Sequence, residues 1–232
     1  MFGEFGRVEK LTPSQELIFD AIKLRKVKDQ PLAGGKPMRD KNGFQRPQAI
    51  VVHYTAGRQS QTPASAIQFM LDMGYGYIFI DSGGMPWKNI HLDHSYPHAG
   101  ESVMPDFSPL AGETDVSRFA IGIEVACGGK LEKHGEKYQT WFGEEVKNPV
   151  FADKEIHGVE GAFQPFRKAQ VESLLTTCEK LCLCYGIEAD NVVSHHEVSP
   201  GRKDDVGGSL PMGMKFFRKM LKSSLDIAGD QF

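Results

Sequence analysis

The stretch Asn191-Val192-Val193-Ser194-His195-His196-Glu197-Val198-Ser199-Pro200-Gly201-Arg202-Lys203-Asp204-Asp205-Val206-Gly207 decides how the chain is read. It opens with a short apolar run, as a buried strand does, and its chemistry begins where that strand ends. His195 leaves the strand end, Pro200-Gly201 reverses the chain, and Asp205 comes back beside His195 with Lys203 two residues earlier. One loop thus presents a nitrogen ligand, an oxygen ligand and a cation. Imidazole with carboxylate suits zinc, and a catalytic zinc site uses three protein ligands with an open fourth position. The loop supplies two and needs a third.

Ala49-Ile50-Val51-Val52-His53-Tyr54 is a continuous apolar run ending in a histidine, followed by Thr55-Ala56-Gly57. Lacking alternation, it reads as a central strand covered on both faces, with His53 at the exit where α/β sheets bind ligands. Alone, His53 is better read as a hydrogen-bonded core residue; beside the His195 loop it becomes a candidate ligand. Ala120-Ile121-Gly122-Ile123-Glu124-Val125-Ala126 is a second strand, with Ile121, Ile123 and Val125 on one face and Gly122 and Glu124 on the other. Burying the Glu124 carboxylate is costly unless it is paired or lines a wet cavity, and burial raises its pKa toward a value useful for proton transfer. A structural salt bridge explains Glu124 equally well.

The rest of the chain supplies scaffold. Residues 12–27 carry a capped apolar stripe and read as a docking helix, and residues 30–48 as a surface arm. Thr62-Pro63 starts a helix over residues 62–71. Tyr75-Gly76-Tyr77-Ile78-Phe79-Ile80-Asp81 and Met85-Pro86-Trp87-Lys88 form a hairpin, in which Tyr77 faces either the cleft or the core. His91, His94 and His98 share a loop without a matching carboxylate or thiolate set, so surface polarity or substrate contact accounts for them. Residues 128–162 read as a polar hairpin-like insertion bearing Tyr138, Trp141 and Phe142. A long helix spans residues 168–185 and stops at Gly186, and another lies around residues 214–225.

At 232 residues, the chain accommodates one large α/β domain: an extension over residues 1–48 and a body over residues 49–232. With 40% hydrophobic and 25% charged residues and a formal net charge of -3, it reads as a soluble globular protein with no polyanion partner, hence no nucleic acid. No apolar run approaches membrane-spanning length, and the start lacks a secretory signal, so the chain is expected in the cytoplasm where it is made. The four cysteines Cys127, Cys178, Cys182 and Cys184 form no disulfide framework and read as small buried apolar residues.

Taken in order, Val51-Val52-His53-Tyr54-Thr55-Ala56-Gly57, Gly76-Tyr77-Ile78-Phe79-Ile80, His98-Ala99-Gly100, Ile121-Gly122-Ile123-Glu124 and His195 through Gly207 resemble the zinc-dependent N-acetylmuramoyl-L-alanine amidases of type 2. That family also holds phage lysozyme-type amidases and peptidoglycan recognition proteins. The resemblance implies a mixed central β-sheet flanked by helices, with zinc in an open surface groove. It implies His53, His195 and Asp205 as ligands, Asp205 being preferred over its neighbour Asp204 by spacing from Pro200. Lys203 matches the residue that stabilises the developing oxyanion, and Tyr77 and Glu124 are both candidates for the base. Glu124 is favoured, since an unperturbed tyrosine has a pKa of roughly 10. The implied reaction is hydrolysis of the amide between N-acetylmuramic acid and L-alanine in peptidoglycan or muropeptides. The rival readings are a binding module without catalysis and a zinc peptidase acting on another amide. An endolysin released through a holin, a recycling enzyme and a secreted effector all remain open. If the strand continues through both histidines, His196 points away from His195, and a supporting or structural role is expected for it.

Overall fold

Strand formation follows the two apolar runs that flank the histidines, and shorter strands extend them on either side. The structure, a computed structural model, describes residues 25–26, 35–88 and 90–229. In chain order the described strands are β1 (Arg25–Lys26), β2 (Lys36–Pro37), β3 (Ala49–Tyr54), β4 (Tyr77–Ile80), β5 (Pro86–Lys88), β6 (His94–Ser95), β7 (Ala120–Val125), β8 (Lys130–His134), β9 (Lys137–Gln139), β10 (Val150–Ala152), β11 (Gly161–Phe163) and β12 (Val192–Ser194). The helices are α1 (Pro63–Asp72), α2 (Lys154–His157), α3 (Lys168–Tyr185), α4 (His195–Val198) and α5 (Gly213–Gly229). The docking helix expected over residues 12–27 lies outside the described residues except at Arg25–Lys26, which pair as a strand beside β5.

The main sheet has the order β1-β5-β4-β7-β3-β12. Its centre, β4-β7-β3-β12, is parallel, and β5 returns antiparallel to β4 as the expected hairpin. This is the mixed sheet that the sequence implies. Side chains alternate between its faces with period two. Ile50, Val52, Ile78, Ile80, Ile121, Ile123, Val125 and Val192 point to one face and join one large apolar cluster with Leu174, Leu181, Phe217 and Leu221 of α3 and α5. Full burial of side chains of this size contributes about 1.5–3 kcal/mol each. The other parity places His53, Tyr77 and Glu124 together on the opposite face, where Ala49, Val51, Ala120 and Val193 pack with Met104 and Phe119. One face anchors the helices, which leaves the other for chemistry.

Local signals set the helix ends. Thr62 Oγ1 accepts from the Ser65 backbone N–H ahead of Pro63, and Gly186 closes α3 at φ +67. Gln170 Nε2 donates to the Ala126 and Asp81 carbonyls at 2.8 and 3.1 Å, tying α3 to the sheet end. The insertion is more than a hairpin. β8 and β9 do pair as one, but β10 and β11 join them in a four-stranded antiparallel sheet, β10-β11-β8-β9. Three-residue strands are too short to show a period, so sequence alone gave no sign of them. Among the described residues, no helix is long and apolar enough to cross a membrane.

Candidate metal centre

Three separate segments deliver one cluster. His53 is the penultimate residue of β3, His195 opens the helical turn after β12, and Asp205 returns from the Pro200-Gly201 reversal. His53 Nδ1 and His195 Nδ1 lie 2.9 Å apart, and each is 3.0 Å from Asp205 Oδ2. All three residues are buried. Two imidazole nitrogens and a carboxylate oxygen converging on one point form a donor set suited to a divalent transition ion. Asp204 takes no part, since its carboxylate pairs with Lys130 at 2.9 Å on the surface.

The loop is held from several sides. The backbone N–H of His196 donates to the Asp205 carbonyl at 2.7 Å, closing the reversal. Glu197 Oε2 accepts from the Ser194 backbone N–H at 2.9 Å, so Ser194-x-x-Glu197 is a capping box that turns the chain into α4 directly after the strand. The strand does not run on through both histidines; His196 sits on the helical turn, with Nδ1 3.0 Å from Ser194 Oγ. Arg218 of α5 grips Glu197 through two contacts of 2.8 and 2.9 Å and donates to the Val192 carbonyl at 3.2 Å. This largely buried pair links α5 to the loop. Arg218→Ala leaves Glu197 uncompensated, and the expected cost is about 3–5 kcal/mol in urea denaturation. A loss below about 1 kcal/mol would show the pair to be incidental.

Glu124 stands beside the cluster as the register partner of His53. Its Oε2 is buried and has no hydrogen-bond partner among the described residues. Burial, followed by the Asp205 charge, pushes its pKa well above the ordinary carboxylate value, while Lys203 and the Tyr77 hydroxyl pull the other way. Tyr77 lies edge-on to His53 with ring centres 5.3 Å apart. Its pKa is driven far above the usual phenol value by burial first and then by the Glu124 and Asp205 charges. Burial opposes ionisation of Asp205, yet the adjoining His195 and His53 imidazoles outweigh it and hold the carboxyl well below its usual range. Burial likewise pushes His53 down to about 4 and His98 to about 3.

His98 is the residue that sequence reasoning misplaced. It is not surface polarity: it is buried, with Nδ1 3.2 Å from His53 Nε2. Gly122 makes the room. A Cβ there would meet Tyr77 Cδ1 at 2.7 Å and His98 Cγ at 3.0 Å, so only glycine lets both rings reach the cluster. His91 and His94 stay away from it, their rings tilted at 43° to each other with centres 5.1 Å apart. On the rim, Trp141 is 69% exposed while its indole N–H donates to the Ala56 carbonyl at 2.6 Å, three residues beyond His53.

The profile of the N-acetylmuramoyl-L-alanine amidases matches residues 43–208. AmiD of Escherichia coli strain K12, an N-acetylmuramoyl-L-alanine amidase, is 26% identical over 195 residues, covering 77% of this chain and 60% of AmiD. The chain therefore spans less than two thirds of that relative's length. The solved complex of E. coli AmiD with anhydro-N-acetylmuramic acid-L-Ala-D-gamma-Glu-L-Lys aligns with a TM-score of 0.54 at 22% identity, over 80% of this chain and 60% of that one. The endolysin amidase LysCS from Clostridium intestinale aligns with a TM-score of 0.53 at 15% identity, over 94% and 99%. At such identities the structures attest the fold, the same mixed sheet with flanking helices. Membership rests on the profile, which runs from before β3 to beyond Asp205 and so takes in every strand and loop that builds the cluster: the chain belongs to the N-acetylmuramoyl-L-alanine amidase family.

Proposed function

We propose that the chain is a zinc hydrolase that cleaves the amide between N-acetylmuramic acid and L-alanine in peptidoglycan or muropeptides. The observation that carries this reading is the convergence of His53, His195 and Asp205 beside a carboxylate whose Oε2 is buried and unpartnered among the described residues, in a chain of this family. AmiD, its relative, has been solved with a muropeptide of this type. The donor set fits zinc: two imidazoles and one carboxylate leave a fourth position of a tetrahedral ion open. Bound there, zinc would supply Lewis acidity, polarising the scissile carbonyl and acidifying a water.

The chain's own groups do the rest. Glu124 takes the water proton at its unpartnered Oε2 and returns it to the departing alanine nitrogen, so water adds across the C–N bond and leaves one carboxylate and one amine. Its raised pKa suits a group that must accept and then release a proton. Tyr77, whose proton is held more tightly than in free phenol, serves as a donor that steadies Glu124 rather than as the base. Lys203, whose charge acts on both His53 and Glu124, faces the negative charge that collects on the carbonyl oxygen. Lys203→Ala should keep its metal and lose on the order of 10²–10³ in kcat. An unchanged kcat would reduce Lys203 to shaping the loop.

Mass spectrometry of an N-acetylmuramoyl peptide incubated with the zinc-loaded protein tests the assignment. The expected products are the free lactyl sugar and a peptide with a new alanine amino terminus. Cleavage within the peptide would instead favour a peptidase, and binding without cleavage a recognition module.

A further inference from the structure

Both histidines of the cluster turn their outer nitrogens toward one tripeptide, His98-Ala99-Gly100. His195 Nε2 is 3.0 Å from the Ala99 carbonyl. His98 Nδ1 is 3.2 Å from His53 Nε2, and His98 Nε2 is 3.0 Å from the Ala120 carbonyl. The two carbonyls settle where the protons sit, because a carbonyl oxygen only accepts. Facing Ala120, Nε2 of neutral His98 must carry its proton, which leaves a lone pair on Nδ1. That lone pair requires a proton on His53 Nε2. His195 Nε2 is protonated toward Ala99 by the same reasoning.

With both outer nitrogens protonated, His53 Nδ1 and His195 Nδ1 each present a lone pair to Asp205 Oδ2, at 3.0 Å. Three electron pairs then converge with no hydrogen among them, an arrangement that a cation resolves. We propose that the His98-Ala99-Gly100 turn is the frame that sets both histidines as Nδ1 donors, with His98 as a positioning residue for the metal. This inference rests on the metal reading given above, and it concerns the protein's preparation for the ion rather than the reaction.

The turn is built to hold still. Ser117 Oγ accepts from the backbone N–H of both His98 and Ala99, at 3.2 and 2.9 Å. Arg202, from the metal loop itself, brings Nη2 to 2.6, 2.7 and 2.7 Å from the Ala99 and Glu101 carbonyls and Ser199 Oγ, which share its two hydrogens. Its Nη2 also approaches His195 Nε2, but at 3.4 Å, longer than its three other contacts and longer than the histidine's 3.0 Å to Ala99. The hydrogens of that Nη2 go to the nearer oxygens, so the His195 Nε2 proton stays directed at the carbonyl. Gly100, at φ +59, bends the chain so that the carbonyls before and after it face the same guanidinium. The frame therefore joins both ligand-bearing segments through one turn. An outer partner of this kind fixes a ligand's tautomer and ring orientation, and its loss typically costs about 10–100-fold in metal affinity.

The test uses the full chain with ¹⁵N-labelled histidine, metal-free and zinc-loaded, and needs no substrate. Long-range ¹H–¹⁵N spectra of the unsubstituted protein should show His53 and His195 protonated at Nε2 in both states. Protonation of either at Nδ1 in the metal-free protein would overturn the frame. His98→Phe, which fills the same space without an acceptor, should lower zinc affinity by about 10–100-fold in competition with a chromophoric chelator, and should let metal-free His53 populate both tautomers. His98→Asn, whose amide oxygen can stand where Nδ1 stood, should recover much of that loss. Unchanged affinity in His98→Phe, or no difference between Phe and Asn, refutes a positioning role. Failure of the unsubstituted protein to bind zinc would refute the metal reading, while the metal-free spectra would still decide the tautomers. Failure to cleave muropeptide with zinc bound would bear only on the proposed activity.

Discussion

Asp205→Ala is expected to empty the metal centre and take amide hydrolysis to background, a fall of at least about 10³-fold, because two imidazoles alone do not hold a catalytic ion. His53→Ala and His195→Ala should do the same. The three donor atoms are mutually within 2.9–3.0 Å, so each removal takes away a third of one compact set rather than a peripheral contact. Asp204→Ala is the internal control: its carboxylate points to Lys130 on the surface, and it should keep metal and turnover. Metal analysis alongside turnover decides the matter. Full zinc occupancy with normal activity in any of the three variants removes that residue from the site.

The second large effect is expected at Glu124. Glu124→Gln is nearly isosteric and should keep fold and metal while losing on the order of 10²–10⁴ in kcat/KM, the range that a positioned base contributes. Tyr77→Phe should lose much less. The pH dependence separates the two further. A base works only when ionised, so kcat/KM of the unsubstituted enzyme should climb with pH until the raised pKa of Glu124 is passed, and this acidic limb should vanish in the Gln variant.

Stability should move in the opposite sense. A carboxyl whose folded pKa is raised binds its proton more tightly folded than unfolded, so its contribution is fully present below the unfolded value of 4.5 and is lost as pH rises through the folded value. Metal-free Glu124→Gln should therefore be more stable than the unsubstituted protein at neutral pH, and indistinguishable from it well below pH 4.5. A dead Tyr77→Phe beside an active Glu124→Gln would exchange the two roles.

Much of this molecule is legible in short windows of sequence. The apolar runs at Ala49–Tyr54 and Ala120–Val125 are strands because they combine β-branched residues with burial, and period two alone separates Ile121, Ile123 and Val125 from Glu124. Thr62-Pro63 and Gly186 mark helix ends by chemistry local to one turn. Ser194-x-x-Glu197 was equally local, and as a capping box it foretells that the chain turns helical at His195 instead of extending.

What needed the tertiary structure are the contacts between residues far apart in sequence. His53 meets His195 and Asp205 across 142 and 152 positions, and His98 across 45, separations at which no periodicity survives. Resemblance to a family nominated the first three as ligands; it matched His98-Ala99-Gly100 as well but gave His98 no role, and its loop read as surface polarity or substrate contact. Its role depends on the parallel pairing of β3 with β7, on a glycine at position 122 that opens room for two rings, and on a carbonyl at Ala120 that dictates one proton. Sequence determined which residue types the strands carry and which face they take. Register and packing decided which of them touch, because a hydrogen bond between side chains depends on distances of a few tenths of an ångström that only the assembled sheet defines.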